Sequence, residues 1–452
     1  MQLKYLTKKD AKNVAVWSRI GVFLIQLLAN VVPDYQGDAF QPVVSPAVGW
    51  IDVVIRAALD GFHKWDAQYF TYIAEHGYVE ESTFAFFPML PMSCHGIGAV
   101  LTSVTNIFSF HTCCLLAAFC LNTFLFIEAA AAVYDLTLLI YKDKTFAFLA
   151  SMCFSFNPSS IFFSSCYSET MFAFFSFKGL VAAEKRKMFQ SSLWFVFASC
   201  TRSNGTVNAG FIAYYSLKHF LNMKHTGFHV IIYFLKTFMH CVMICIPFCL
   251  FNYYGYVKFC NGKMEENLLN NNSPEIPAWC NKPIPSIYNH IQQHHWGLGL
   301  FAYYKWNKIP NFILALPVVI ITVKGVYEYL ERRKGEILYL GLPFRNLKNP
   351  VIQAKSAFFA SQSIFCYICH LVFLVTFSLC FMHVEVTTRM VMSGSPLPYW
   401  FVASYLYSCV DQMNVTWDSW AKLSKPTKYL VVYFCSYFVT GIVLHVNFLP
   451  WT

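Results

Sequence analysis

Residues 112–140 read TCCLLAAFCLNTFLFIEAAAAVYDLTLLI. A run this long and apolar suits a helix crossing the ~30 Å hydrocarbon layer of a bilayer, which takes ~20 apolar residues. In lipid every backbone N–H and C=O must find its partner within the chain, which leaves helices and closed barrels as spanning structures. Comparable runs recur near residues 14–32, 86–105, 145–163, 166–183, 189–201, 206–221, 228–252, 309–330, 357–383, 398–411 and 429–447. They do not alternate apolar and polar positions as barrel strands do. The predicted class is all-α and polytopic, with about 10–12 transmembrane or re-entrant helices in one integral membrane domain over residues 1–452.

Composition agrees. The chain is 57% hydrophobic and only 12% charged, with 46 Phe and 27 Tyr. Soluble domains carry about twice that share of charge. The formal net charge of +10 does not form a continuous basic face for nucleic acid. It falls in short clusters: Lys4, Lys8, Lys9 and Lys12; Lys185-Arg186-Lys187; Arg332-Arg333-Lys334. Such clusters mark cytoplasmic loops. The first span lacks a small-residue cleavage pattern and is read as retained. Its basic flank places the N-terminus in the cytoplasm and residues 33–83 on the lumenal side. Within that loop Ile51, Val54, Ile55, Ala58, Leu59 and Phe62 have helical spacing and read as an amphipathic helix at the bilayer surface. Residues 258–300, rich in Asn and Pro, read as a folded lumenal loop, and residues 331–355 as a cytoplasmic one. Around 141–187 the charge rule and strict alternation of spans disagree, which predicts a re-entrant or half span there.

Most of the 17 cysteines lie inside apolar runs, as at Cys113, Cys114, Cys241, Cys245 and Cys249, and act as small hydrophobes. No CxxC pair has a partner at zinc spacing, so no metal site is predicted. Cys260 and Cys280 bracket a polar segment and would be free to pair in an oxidising lumen. Sequons occur at Asn204, Asn271 and Asn414.

Four polar islands interrupt the apolar background. They are Trp65-Asp66; Asn157-Pro158-Ser159-Ser160 with Tyr167-Ser168-Glu169; Arg202-Ser203-Asn204-Gly205; and Gln292-Gln293-His294-His295-Trp296 with Tyr303-Tyr304. A charge at membrane depth costs at least ~2.5–3.5 kcal/mol. Glu169 and Arg202 therefore imply mutual pairing, a watered cavity, or function. Asp66 is either a helix cap or a base. No P-loop, GxSxG or dinucleotide fingerprint accompanies them, so no cofactor is predicted.

At these islands the chain resembles the PIG-V family of mannosyltransferases, which act in glycosylphosphatidylinositol (GPI) anchor assembly. The resemblance rests on Val32-Pro33-Asp34, Trp65-Asp66-Ala67, Glu75-His76-Gly77-Tyr78, Phe84-Ala85-Phe86-Phe87-Pro88, Tyr167-Ser168-Glu169, Arg202-Ser203-Asn204-Gly205, Pro310-Asn311-Phe312 and the terminal Asn447-Phe448-Leu449-Pro450-Trp451-Thr452. One departure stands out: the family places His directly before Trp-Asp, whereas here Lys64 takes that place and His63 precedes it. The resemblance implies a GT-C-type enzyme of the endoplasmic reticulum membrane with a lumenal active site. It would move the second mannose from dolichyl phosphate mannose, in α1,6 linkage and with inversion, to a mannosyl-glucosaminyl-(acyl)phosphatidylinositol acceptor. A small accessory subunit is among the partners implied. Asp66 would then be the catalytic base and Arg202 the phosphate contact, with Trp65, Tyr167, Glu169, Asn204, His294 and His295 binding substrate. Glu169 is expected in the same cavity as Asp66. Two carboxylates in contact disfavour each other's ionised form, so the two are expected to be separated or bridged by a cationic or hydroxyl group. The rival classes are a lipid or solute transporter or scramblase, and a non-catalytic scaffold subunit. The absence of a visible inverted repeat and the gathering of polar islands toward one face favour the enzyme.

Overall fold

The computed structural model describes residues 6–35, 40, 42–221, 227–261, 277–342, 359–409, 420 and 423–451, and seventeen α-helices lie among them. In chain order they are α1 (Lys8–Ala29), α2 (Trp50–Leu59), α3 (Asp66–His76), α4 (Met89–Val104), α5 (Phe110–Tyr141), α6 (Lys144–Ser155), α7 (Glu169–Glu184), α8 (Met188–Thr201), α9 (Ala209–Leu221), α10 (Phe228–Tyr256), α11 (Ile287–His294), α12 (Ile309–Arg332), α13 (Lys334–Tyr339), α14 (Phe365–Phe381), α15 (Thr387–Gly394), α16 (Leu397–Ser408) and α17 (Lys425–Val446). No strand occurs among the described residues. Helices α1, α5, α10, α12 and α17 are each long and apolar enough to cross a membrane, and α4 and α14 are shorter apolar helices. The expected all-α polytopic class is therefore present.

Helix α5 is the axis of the bundle. It spans 32 residues, begins at a Ser109 cap whose hydroxyl accepts the Thr112 N–H, and ends where Lys142 turns left-handed. Small residues on its middle turns, Ala129 to Ala132, are almost fully buried and let neighbours approach closely. Helices α6 and α7 pack on this side, and nearly all of α7 is buried.

The mismatch expected around 141–187 arises earlier in the chain: Arg56 of α2 donates to Thr112 at 2.9 Å, so the 16-residue α4 returns the chain to the end that carries α2 before α5 runs to the other. Helix α6 has 12 residues and covers only ~18 Å. It stops at Asn157-Pro158, where Asn157 accepts the Ser159 N–H at 2.9 Å in a tight turn. The chain then runs through a 3-10 turn, Ser160–Phe163, before α7 starts. Arg19 of α1 stabilises this broken stretch. Its buried guanidinium donates to the Ser160 carbonyl at 3.0 Å and the Ser164 hydroxyl at 2.7 Å, and lies 3.7 Å over the Phe126 ring. Polar residues of the second island thus serve the helix break.

One end of the bundle gathers the basic clusters. Lys8 pairs with Asp135 near the end of α5, Tyr407 donates to Asp143, Tyr141 donates to the Phe359 carbonyl, and Arg333 donates to the Ala360 carbonyl. Lys185-Arg186-Lys187 follow α7, which runs parallel to the second half of α5: Asn122 holds the Tyr167 carbonyl near its start. The opposite end carries α2, α3, α11 and α15.

Several boundaries differ from expectation. The span near 206–221 begins only at Ala209, after a 3-10 turn over Ser203–Asn208. Within the predicted span 357–383, α14 begins at Phe365. The eight-residue α15 was not anticipated, being too short for a span. Helix α2 and a 3-10 turn, Asp60–Phe62, realise the amphipathic stretch. The sequons at Asn271 and Asn414, residues 262–276 of the first polar loop, and residues 343–355 of the second lie outside the described residues.

Candidate active site

A cavity of about 930 Å³ opens at the end of the bundle away from the basic clusters. Its polar lining comes from segments distant in sequence: Asp66 begins α3, Glu169 begins α7, Arg202 follows α8, and Arg389 lies on α15.

Asp66 owes its position to a strained junction. Trp65 precedes α3 with φ of 57°, the left-handed region that a bulky residue occupies at a cost of ~1–3 kcal/mol. Tyr167, buried beneath, offsets that cost. Its hydroxyl accepts the Asp66 N–H at 3.1 Å and donates to the Lys64 carbonyl at 3.4 Å. The Trp65 ring packs on Phe448 with centroids 5.5 Å apart. Lys64 is tied down by Asp34 at 2.7 Å and Asp60 at 2.6 Å. His63, the neighbour of that departure from the family pattern, faces inward. It shares a 2.6 Å hydrogen bond with Thr71, and burial, helped by His111 and Lys64, pushes its imidazole down to about 3. It is a neutral packing residue.

Two arginines and two carboxylates form a chain across the cavity floor. Arg389 Nη1 donates to Asp66 Oδ2 at 2.9 Å, and Arg389 Nε lies 3.7 Å from Glu169 Oε1. Arg202 pairs with the same Glu169 oxygen and donates to the Ser168 hydroxyl at 3.3 Å. Burial works against the Arg389 charge, and Asp66 and Glu169 more than compensate, raising its pKa. Phe162 and Tyr167 present their ring faces to the same guanidinium, at 5.1 and 5.5 Å. Glu169 is completely buried, whereas Asp66 keeps a quarter of its side chain accessible. Asn204 Nδ2 and Trp296 Nε1 are buried donors with no partner among the described residues, and both residues line the cavity.

The far wall holds a second polar group. Asn311 donates to the Tyr303 hydroxyl at 2.6 Å, and both engage Glu385. On one flank Phe373 and Phe377 of α14 stack 5.7 Å apart, line the cavity, and remain 47% and 41% exposed.

Of the residues singled out from the sequence, Asp66, Trp65, Tyr167, Glu169, Arg202 and Asn204 come together in this one cavity. Of the two arrangements expected for Asp66 and Glu169, separation or a bridge, the structure has the bridge, and it is Arg389. His294 and His295 do not join them. Tyr288, Gln292 and Trp296 line the cavity, at four-residue spacing, and the histidines project elsewhere and are exposed. Arg389, Glu385 and Lys308 escaped sequence reasoning. The membrane-depth argument that singled out Arg202 applies equally to Thr387-Thr388-Arg389, which lies between two apolar runs. The terminal Pro450-Trp451 also reaches the cavity, folded back so that Trp451 lies against Gly441 of α17. The Cys260–Cys280 disulfide forms, with Cα atoms 5.8 Å apart.

Residues 8–452 match the family model described as mannosyltransferase (PIG-V). The chain is 32% identical to GPI alpha-1,6-mannosyltransferase 2 of Rattus norvegicus and 32% identical to that of Homo sapiens, in each case over 99% of both chains. It is 29% identical to GPI mannosyltransferase 2 of Drosophila melanogaster, over 99% of this chain and 100% of the relative.

Proposed function

This chain belongs to the PIG-V mannosyltransferase family, and from that premise we propose that it adds the second mannose of a GPI precursor, in α1,6 linkage, at the cavity around Asp66. It is a multi-pass membrane enzyme. Dolichyl phosphate mannose is the donor and a mannosyl-glucosaminyl-(acyl)phosphatidylinositol the acceptor. The observation that carries the site assignment is the ion-pair chain Asp66–Arg389–Glu169–Arg202 in a cavity that the aromatic rings of α14 also line.

The donor carries mannose in β linkage and the product is α, so a single displacement inverts the anomeric carbon. The acceptor 6-hydroxyl attacks C1, its proton passes to Asp66, and the C1–O bond to phosphate breaks. Arg389 engages Asp66 Oδ2 and leaves Oδ1 for that proton. A base so placed contributes ~10²–10⁴-fold. Arg202, held by the buried Glu169, offers its guanidinium edge to the leaving phosphate, which such a planar fork matches. Asn204 and Trp296 add donors for phosphate or sugar oxygens. Phe373 and Phe377 give the isoprenoid tail an apolar entry.

A lumenal setting in the endoplasmic reticulum, with a cytoplasmic N-terminus, accords with the separation of the basic clusters from the cavity end. The disulfide, which forms in oxidising compartments, lies in the polar segment leading to α11. A small accessory subunit completes the proposed partners.

Complementation tests the reading. In cells that lack the second GPI mannose, the wild-type chain should restore surface GPI-anchored proteins and clear the accumulated one-mannose lipid. Asp66→Asn, expressed to the same level, should do neither. Failure of the wild type would refute the reaction, and rescue by Asp66→Asn would refute the base.

A further inference from the structure

Beside α11, Glu81, His290 and His295 point ligand atoms at a common space, all within 4.8 Å of one another, and none of the three lines the cavity. Three features mark the trio as more than a surface coincidence. His290 Nδ1 is buried and has no hydrogen-bond partner among the described residues. Its Nε2 is 3.8 Å from Glu81 Oε2, beyond hydrogen-bond reach, so this imidazole and carboxylate face each other without a direct bond. Finally, the site is framed. Trp279 stacks on the His290 ring at 5.9 Å and its Nε1 donates to Glu81 Oε1 at 3.3 Å, which orients the carboxylate as an outer-shell donor orients a metal ligand. Trp279 is itself buried and adjacent to the disulfide cysteine Cys280.

We propose that Glu81, His290 and His295 bind a divalent cation of the zinc class. Two imidazoles and a carboxylate suit zinc at ~2.0–2.2 Å, with water in the fourth position. Ligand atoms around such an ion sit ~3.4 Å apart, so modest side-chain rotation closes the trio onto it.

The ion would tie the 3-10 turn Glu81–Ala85 to α11. The turn leads directly into Phe86 and Phe87, and α11 itself presents Tyr288 and Gln292, all four in the cavity wall. His290 points away from that wall, since successive residues rotate by ~100° and it lies ~200° from Tyr288, while His295 caps the end of α11. The cation is a clamp on the wall and takes no part in the transfer step.

Metal content decides the matter without reference to activity. Purified full-length protein, its affinity tag removed, is given one equivalent of Zn²⁺, desalted and analysed by mass spectrometry. The wild type should retain close to one zinc per chain and melt at a higher temperature with the metal than without. His295→Ala, at an exposed position, and Glu81→Gln, which keeps an oxygen for Trp279, each remove a ligand and should bind at least ~10–100-fold more weakly, the cost of losing even an outer-shell partner, and lose the thermal shift. His294→Ala, one residue from the trio, should retain the metal. Co²⁺ in place of zinc should give weak visible bands without thiolate charge transfer. A wild type that holds no zinc, retention unchanged in both variants, or a cobalt–thiolate band pointing to the cysteines would overturn the proposal.

Discussion

Arg389 stands 323 residues from Asp66 in sequence, yet it connects the two carboxylates of the cavity. Its planar guanidinium reaches Asp66 through Nη1 and Glu169 through Nε, a division of labour that a single ammonium cannot reproduce. Arg389→Lys should therefore fold but lose transfer by at least ~10-fold, since misplaced catalytic groups cost up to ~10²-fold. Arg389→Gln should go further. It leaves the buried Glu169 with Arg202 alone, and breaking a buried ion pair costs roughly 3–5 kcal/mol. Adding Glu169→Gln to Arg389→Gln should recover much of the lost melting temperature and none of the activity. Thermal unfolding in detergent and a mannosyl-transfer assay read the two effects separately. Additive losses in stability would show that the pair is not coupled.

At the scale of elements, the polar turn after α8 depends on one glycine. A Cβ on Gly205 would lie 2.5 Å from backbone atoms of Ala198 and Ser199, which cannot yield as a side chain can. Gly205→Ala should push the 3-10 turn off the end of α8 and carry Arg202 and Asn204 with it. A displacement of that order costs ~10²-fold in rate. Gly210 sits on the next helix with nothing within 4 Å of its virtual Cβ. Gly210→Ala should leave activity intact and stabilise slightly, by ~0.4–1 kcal/mol. Equal activity in the two variants would remove the turn from the account. The Trp65 junction works by the same logic: a strained backbone holds Asp66 because Tyr167 binds both sides of it.

At the scale of the whole molecule, the basic clusters and the cavity occupy opposite ends, and the positive-inside rule turns that asymmetry into an orientation. Sealed microsomes test it. A tag placed before Lys4 should be digested by added protease. Glu80→Asn puts an acceptor asparagine two residues ahead of Ser82 in the exposed turn near the cavity, and this variant should gain a glycan. A protected tag with no glycan would invert the orientation.

The long apolar runs and the polar islands could be read without coordinates because each obeys a local rule. Lipid demands helices of a certain length, and unpaired charge at membrane depth demands a reason. Those rules located α1, α5, α10 and α17, and they singled out Asp66, Tyr167, Glu169, Arg202 and Asn204. They missed α15, since eight residues carry no span signal, and with it Arg389. They also misplaced His294 and His295. Which side of α11 faces the cavity depends on the rotation of that helix against its neighbours, and the packing of Ile287 and Ile291 into the core sets it. Pairing across hundreds of residues, the closing of the Glu81–His290–His295 trio, and the meeting of the chain end with Trp65 are likewise products of packing. Local composition constrains what each segment is, while the distances between segments follow from how the seventeen described helices bury their faces together.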